Sequence, residues 1–181
     1  MAKKTLLNEK EIFIILNRLA CQLIENHHDF SNTILIGIQP RGIYLANRLV
    51  KILENDYNIK DIKLGKLDIT FYRDDFRRRE DPLQASSTDI NFIVDNKNVV
   101  FIDDVLFSGR SIRAALTAIQ AFGRPNNIEL LVLIDRRFSR HLPIQPDYKG
   151  RQVDVIKDEQ VKVEWMENGP IDKVCIVNSS A

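Results

Sequence analysis

Residues 99–113, Val-Val-Phe-Ile-Asp-Asp-Val-Leu-Phe-Ser-Gly-Arg-Ser-Ile-Arg, constrain the fold more than any other stretch of the chain. Four apolar residues, Val99 to Ile102, make the short run expected of a strand covered on both faces, as in a parallel sheet. Asp103 and Asp104 stand at its carboxyl end, where open α/β sheets place their ligands. Val105 to Arg110 has room only for a tight loop. Ser111 then occupies a helix N-cap position ahead of Ile112, Ala115, Leu116 and Ile119.

Such a loop aims free backbone N–H groups, the positive end of a helix dipole and the hydroxyls of Ser108 and Ser111 at one point, which suits a phosphate monoester. Gly109 lets the backbone approach without a Cβ in the way. The Gly-x-x-x-x-Gly-Lys-Ser/Thr of a nucleotide P-loop is absent, with Arg110 in the lysine's place, and one glycine is too few for a dinucleotide fingerprint. Two carboxylates ahead of a phosphate loop can each accept a hydrogen bond from a vicinal diol. Ribose 5-phosphate has a phosphate at one end and that diol at the other.

The rest of the chain repeats the strand, turn and helix order. Asn8 with Glu11 forms a capping-box signature, and Ile12, Ile15, Leu16, Leu19, Leu23 and Ile24 continue at helical spacing to about Asn26. His27 and His28 close that helix as cations near its C-terminus. Thr33 to Ile38 reads as a buried strand, Gln39-Pro40-Arg41-Gly42 as a turn, and Ile43 to Leu53 as a second helix. Ile62 to Phe71 alternates like a strand with Gly65 at a bulge. Tyr72 to about Asn91, polar and without period, reads as a working loop. Ile128 to Ile134 is another buried strand, closed by Asp135, Arg136 and Arg137. Residues 138–151 are loop-like, and Val153–Ile156, Val161–Trp165 and Val174–Val177 are short strand candidates. The expectation is one α/β domain over 1–181, a twisted, mostly parallel sheet flanked by helices.

At 181 residues the chain can bury a substantial core, and 44% hydrophobic with 28% charged residues is the composition of a globular domain. A net charge of +1 gives no global argument for nucleic acid or membranes. Cys21 and Cys175 read as separate thiols, with no disulfide or metal site expected. No segment approaches the roughly 20 apolar residues of a membrane span, and the first residues lack a signal peptide's apolar core, so a cytoplasmic location is expected.

The 99–111 segment resembles the PRPP-binding signature of the type I phosphoribosyltransferases, PRPP being 5-phosphoribosyl 1-diphosphate. Three further stretches narrow the likeness: Leu35-Ile-Gly-Ile-Gln-Pro-Arg-Gly-Ile-Tyr-Leu-Ala-Asn-Arg-Leu49, Asp68-Ile-Thr-Phe-Tyr-Arg-Asp-Asp75, and Leu133-Ile-Asp-Arg136 with Leu142-Pro-Ile144 and Asp147-Tyr148. Together they are similar to the bifunctional pyrimidine operon attenuation regulators with uracil phosphoribosyltransferase activity, over nearly the whole chain. The resemblance implies a type I phosphoribosyltransferase fold with a flexible hood loop at about 72–91. It implies Mg²⁺-dependent transfer of phosphoribosyl from PRPP to uracil, giving UMP and diphosphate.

By the same resemblance, Val105, Leu106, Phe107, Ser108, Gly109, Arg110 and Ser111 would hold the 5′-phosphate. Asp103 and Asp104 would hold the ribose. Gln39, Pro40, Arg41 and Gly42 would hold the diphosphate, and Arg73 would act on it from the hood, with Arg77, Arg78 and Arg79 mobile or facing RNA. Ile134, Asp135 and Arg136 would meet the base, and Mg²⁺ would be held through the PRPP diphosphate with no protein ligand assigned. The chain departs from the pattern at Arg137-Phe138-Ser139-Arg140-His141, which carries an extra residue and lacks a glycine near 137, at Gln145, where a basic residue is common, and in a shorter hood. Pyrimidine-operon leader mRNA is an expected partner, met by a basic segment holding Arg110, Arg113, Arg124, Arg136, Arg137, Arg140, Lys149 and Arg151 and brought together in a homodimer or higher assembly. The alternatives are a purine phosphoribosyltransferase using hypoxanthine or guanine, and an RNA-binding regulator with only residual enzyme activity.

Overall fold

The computed structural model describes residues 3–74, 85–155 and 159–178. Its elements are β1 (Lys3–Leu7), α1 (Glu9–His27), β2 (Thr33–Ile38), α2 (Gly42–Asn55), β3 (Lys63–Leu67), β4 (Asn98–Leu106), α3 (Arg110–Ile119), β5 (Asn127–Arg137), β6 (Tyr148–Asp154), β7 (Glu159–Glu164) and β8 (Lys173–Asn178). Five strands form a wholly parallel sheet in the order β3-β2-β4-β5-β6. A second, antiparallel sheet has the order β1-β8-β7.

All six residues of β2 are buried, as are Val99 to Ile102 of β4, because helices cover both faces of a parallel sheet. One core joins α1 and α2 to Leu35, Val100, Ile102 and Leu133, and also takes in Trp165 and Val174 from the small sheet. The other joins α3 to Ile36, Phe101 and Val132. Each fully buried leucine or isoleucine contributes roughly 1.5–3 kcal/mol. α1 begins with the reciprocal cap read from the sequence: Glu11 N donates to Asn8 Oδ1 at 3.0 Å, and Asn8 N donates to Glu11 Oε2 at 2.8 Å. Gly42 opens α2 against β4. A Cβ there would lie 2.2 Å from the Ile102 carbonyl oxygen, so only glycine lets the helix start beside the strand that carries the acids.

The structure corrects several sequence expectations. Residues ahead of α1 form an edge strand, β1, whose backbone groups are satisfied by β8 from the other end of the chain. β3 stops at Leu67, because Asp68 Oδ1 accepts from both Thr70 N (3.0 Å) and Thr70 Oγ1 (2.6 Å) and turns the backbone into a single 3₁₀ turn, Thr70–Tyr72. Gly65 is not a bulge, since β3 keeps unbroken register with β2; a Cβ there would press on Ile90 and Phe92, which pack over it. β4 continues through both acids to Leu106, and β5 continues through Asp135 to Arg137. His27 does not lie at the surface: it is buried, with Nε2 3.0 Å from Glu129 Oε2 and Nδ1 3.1 Å from Thr33 Oγ1. Of the expected hood, residues 75–84, with Arg77, Arg78 and Arg79, lie outside the described residues. Cys21 and Cys175 are both free thiols. No helix among the described residues is long and apolar enough to cross a membrane.

Candidate active site

The carboxyl ends of β2 and β4 carry the 39–41 turn, the two acids and the 107–109 loop. Gly109 sits at φ 89, a left-handed conformation that swings the chain from β4 into α3, whose first residue is Arg110. Ser111 is therefore inside the helix and not its N-cap, because the backbone of Gly109 makes the entry that a capping side chain would otherwise make. A Cβ on Gly109 would face Ile144 Cδ1 at 3.2 Å and Leu142 Cβ at 3.5 Å, so its backbone angle, not clearance for a ligand, is what demands glycine. The start of α3, with Ser108 and Ser111, forms one wall of a cavity of about 280 Å³ that Arg73 and Asp103 also line. Unpaired N–H groups of a helix's first turn make such a cavity receptive to an anion.

Because β4 runs on through the acids, successive side chains leave opposite faces of the strand. Asp103 lines the cavity. Asp104 is buried on the other side, where Arg41 Nε lies 3.1 Å from its Oδ2, close enough for an ion pair but off the line of a hydrogen bond. Trp165 Nε1 donates to the same oxygen at 3.4 Å. Burial, and then the neighbouring charge of Asp104, push Asp103 up to about 8, against the Asp104 N–H that donates to Asp103 Oδ1 at 2.9 Å and the charges of Arg41 and Arg73. Burial also raises Asp104, opposed by Arg41 and Trp165.

The 39–42 turn has a cis Gln39–Pro40 peptide, and Gln39 Nε2 donates to the Ser87 carbonyl at 2.6 Å. The Arg41 guanidinium points to the small sheet, where its Nη2 donates to the Val163 carbonyl. Asp74, next to Arg73, accepts from Arg113 Nη2 at 2.7 Å and lies 3.7 Å from Arg110 Nε, which fastens the chain after Thr70–Tyr72 to the first turns of α3.

On the other flank, Ile134 is buried in the core and Asp135 is buried beneath Arg140 and Gln152, both of which donate to it. Arg136 is buried with its guanidinium 4.2 Å above the Phe107 ring, and Nη2 donates to the Glu159 carbonyl at 3.0 Å. Its Nε is buried and has no hydrogen-bond partner among the described residues. Arg140 also donates to the Phe107 carbonyl, and His141 N donates to the Ser108 carbonyl at 3.0 Å. The departing 137–141 segment thus braces the 107–109 loop, and Phe138 takes a left-handed φ of 61 next to the place where a glycine was expected. Gln145 lines a separate surface pocket of about 480 Å³ with Asp135 and Arg140.

The basic segment is largely committed within the chain. Arg110 and Arg113 face Asp74, Arg137 makes two hydrogen bonds of 2.5 Å to Asp154, and Arg151 donates to the Leu6 carbonyl at 2.8 Å. Trp165, Asp74 and Arg140 are the site-side residues to which the sequence reading gave no role in the site. The chain holds one tryptophan, and its rarity was the sole signal available for Trp165.

The phosphoribosyl transferase domain family matches residues 2–167. The chain is 44% identical over 176 residues to the bifunctional protein PyrR of Halalkalibacterium halodurans, covering 96% of each. It is 46% identical over 158 residues to that of Gloeothece citriformis, covering 87% of this chain and 88% of the relative. Among solved structures it is similar to a hypoxanthine phosphoribosyltransferase of Trypanosoma cruzi, with a TM-score of 0.73 at 14% identity over 97% of this chain and 96% of the other. A hypoxanthine-guanine phosphoribosyltransferase of Bacillus anthracis gives a TM-score of 0.69 at 18% identity over 96% and 97%. At such identities the two enzymes share the fold, while the sequence relatives carry the family. The chain belongs to the type I phosphoribosyltransferases, within the family of the bifunctional PyrR proteins.

Proposed function

We propose that the protein transfers the phosphoribosyl group of PRPP to uracil, releasing UMP and diphosphate. The bond from C1′ to the diphosphate oxygen breaks as a ring nitrogen of uracil bonds to C1′ and its proton leaves. The leaving oxygen keeps the bonding electrons. Positive charge grows on the ribose and negative charge on the diphosphate, so catalysis is electrostatic preorganisation. The observation that carries this reading is a single cavity lined by the start of α3, by Asp103 and by Arg73. The 107–111 backbone and Ser108 take the 5′-phosphate, Asp103 takes the ribose hydroxyls, the 39–42 turn takes the diphosphate, and Arg73 offsets the charge that develops there. Arg136 and the end of β5 meet the base.

Mg²⁺ would be held through the PRPP diphosphate, with no ligand assigned in this chain, and would offset the charge that develops on that group. Among the described residues no three His, Cys, Asp or Glu side chains lie together as a metal cage. A homodimer or higher assembly in the cytoplasm completes the reading.

The test offers purified protein Mg²⁺ and PRPP with uracil, orotate, hypoxanthine, guanine or adenine. UMP from uracil alone is the expected product, and IMP or GMP as the main product would move the protein to the purine branch.

That the relatives are known as bifunctional proteins supports a second role. That role is UMP-dependent regulation of pyrimidine genes through leader mRNA. A titration against the protein's own leader RNA should give tighter binding with UMP than without it; weak binding indifferent to UMP removes the role.

A further inference from the structure

Trp165 is fully buried just beyond β7, and three restraints hold it. Asn168 N donates to its carbonyl at 3.0 Å, its own N donates to Asn168 Oδ1 at 3.4 Å, and the Arg48 guanidinium lies 4.8 Å from its ring centroid. Arg48 is itself fixed by four hydrogen bonds, at 3.1 and 2.8 Å to Glu167 and 2.5 and 2.9 Å to Asp172. Met166 N donates to Asp172 Oδ1 at 2.8 Å, which closes the turn on the same carboxylate. A buried indole N–H needs an acceptor, and this one has Asp104 Oδ2 at 3.4 Å. Packing alone would be served by any large apolar side chain; the N–H aimed at an acid of the site calls for a different account.

We propose that Trp165 is a positioning residue for phosphoribosyl transfer: on the face to which β4 already sends Asp104, its indole N–H fixes the orientation of that carboxylate and favours its charge, behind the Asp103 that faces the cavity. The inference rests on the transferase reading above. The charged groups around the pair are Arg41 against Asp104, Arg73 on the cavity side of Asp103, and Arg48, Glu167 and Asp172 behind the indole. The indole donor stabilises the charged form of Asp104, and that charge adds to burial, the larger cause, in raising Asp103. Loss of the donor disfavours the first ionisation of the pair.

Trp165→Phe keeps a large ring and removes the N–H. It should lower kcat roughly tenfold, the effect of one charge-assisted hydrogen bond, and move the acid limb of the kcat profile to higher pH, with the KM for uracil unchanged. A folded variant whose pH profile superimposes on the parent's would overturn the proposal. The native protein supplies a second measurement that depends neither on the variant's folding nor on turnover. Its one tryptophan gives one indole N–H resonance in a ¹⁵N-labelled sample, which should shift as the acid pair titrates and again when Mg²⁺-PRPP is added. A resonance indifferent to both pH and Mg²⁺-PRPP sinks the idea. Absence of UMP formation by the native protein defeats the transferase reading and leaves the indole titration to decide whether Trp165 reads the acid pair.

Discussion

Asp103 destabilises the fold in order to serve the cavity. In the unfolded chain it ionises near 3.8 and in the folded chain at about 8, so between those values the native state binds more protons than the unfolded state. Stability attributable to this group is therefore greatest below about pH 4 and falls as pH rises through the window. Asp103→Asn should flatten that slope and raise stability at pH 8 by about 1–2 kcal/mol, as stabilising changes at active sites do, while abolishing most of the transfer. Denaturant melts of both proteins at pH 5 and pH 8 check it, and parallel slopes would put the raised ionisation elsewhere. Phe138 is a second strained residue, held at φ 61 while 84% exposed. The left-handed region costs a residue with a Cβ about 1–2 kcal/mol, and its ring gains only a 5.0 Å approach of the Arg137 guanidinium in return. Phe138→Gly should stabilise by about 0.5–1 kcal/mol, after the entropy that glycine adds to the unfolded chain, and a lower denaturation midpoint would contradict the strain. The acids were legible as a pair because they interrupt an apolar run. Their divergence was not, since it depends on β4 continuing past them, a matter of pairing with β5 up to Leu106.

Among the elements, the 107–109 loop depends on the 138–147 segment as well as on its own glycine. Arg140 spans the Phe107 carbonyl and the Asp135 carboxylate, His141 N reaches the Ser108 carbonyl, and Leu142 and Ile144 stand against Gly109. Arg140→Ala leaves Asp135 with Gln152 and releases one side of the loop. PRPP affinity should fall roughly tenfold, about 1.4 kcal/mol. The melting temperature should drop only a few degrees, because Ile144, the segment's contact with the α3-side core, keeps its place when the Arg140 side chain is removed; calorimetric titration with PRPP reads the first quantity. Unchanged affinity would mean that the loop holds its shape unaided. α1, β2 and α2 were legible because their signals are local: a capping box, a continuous apolar run, helical spacing closed by a turn. The brace was not, since it joins residues some 33 positions apart in an irregular segment, where no period announces which side chain reaches back. Ser111 was read as a cap because its residue type fits one, and the left-handed Gly109 made the cap unnecessary.

At the scale of the whole molecule, alternation of strand and helix was enough to foresee a mostly parallel sheet but not its five strands, and although β7 and β8 were strand candidates, their separate sheet was hidden because β1 and β8 come from opposite ends of the chain. That sheet carries Trp165 and receives Arg41, so it belongs to the site as much as the large sheet does. The same long-range pairing decides the reach of the protein toward RNA. Of the basic residues between 110 and 151, Arg110, Arg113, Arg137 and Arg140 face carboxylates, Arg136 is buried and Arg151 serves a backbone carbonyl. Arg124 and Lys149 face no carboxylate among the described residues. If two such cations per chain meet phosphates, the slope of log K against log salt for an unrelated single-stranded RNA should be about −1.4. Leader RNA in the presence of UMP should give a steeper slope only if arginines such as Arg110 and Arg113 leave Asp74, and Asp74→Asn should then steepen the UMP-free slope toward the UMP-bound one. Equal slopes for the two RNAs, unchanged in the variant, would show that Arg110 and Arg113 stay with Asp74 and that any leader recognition uses another face.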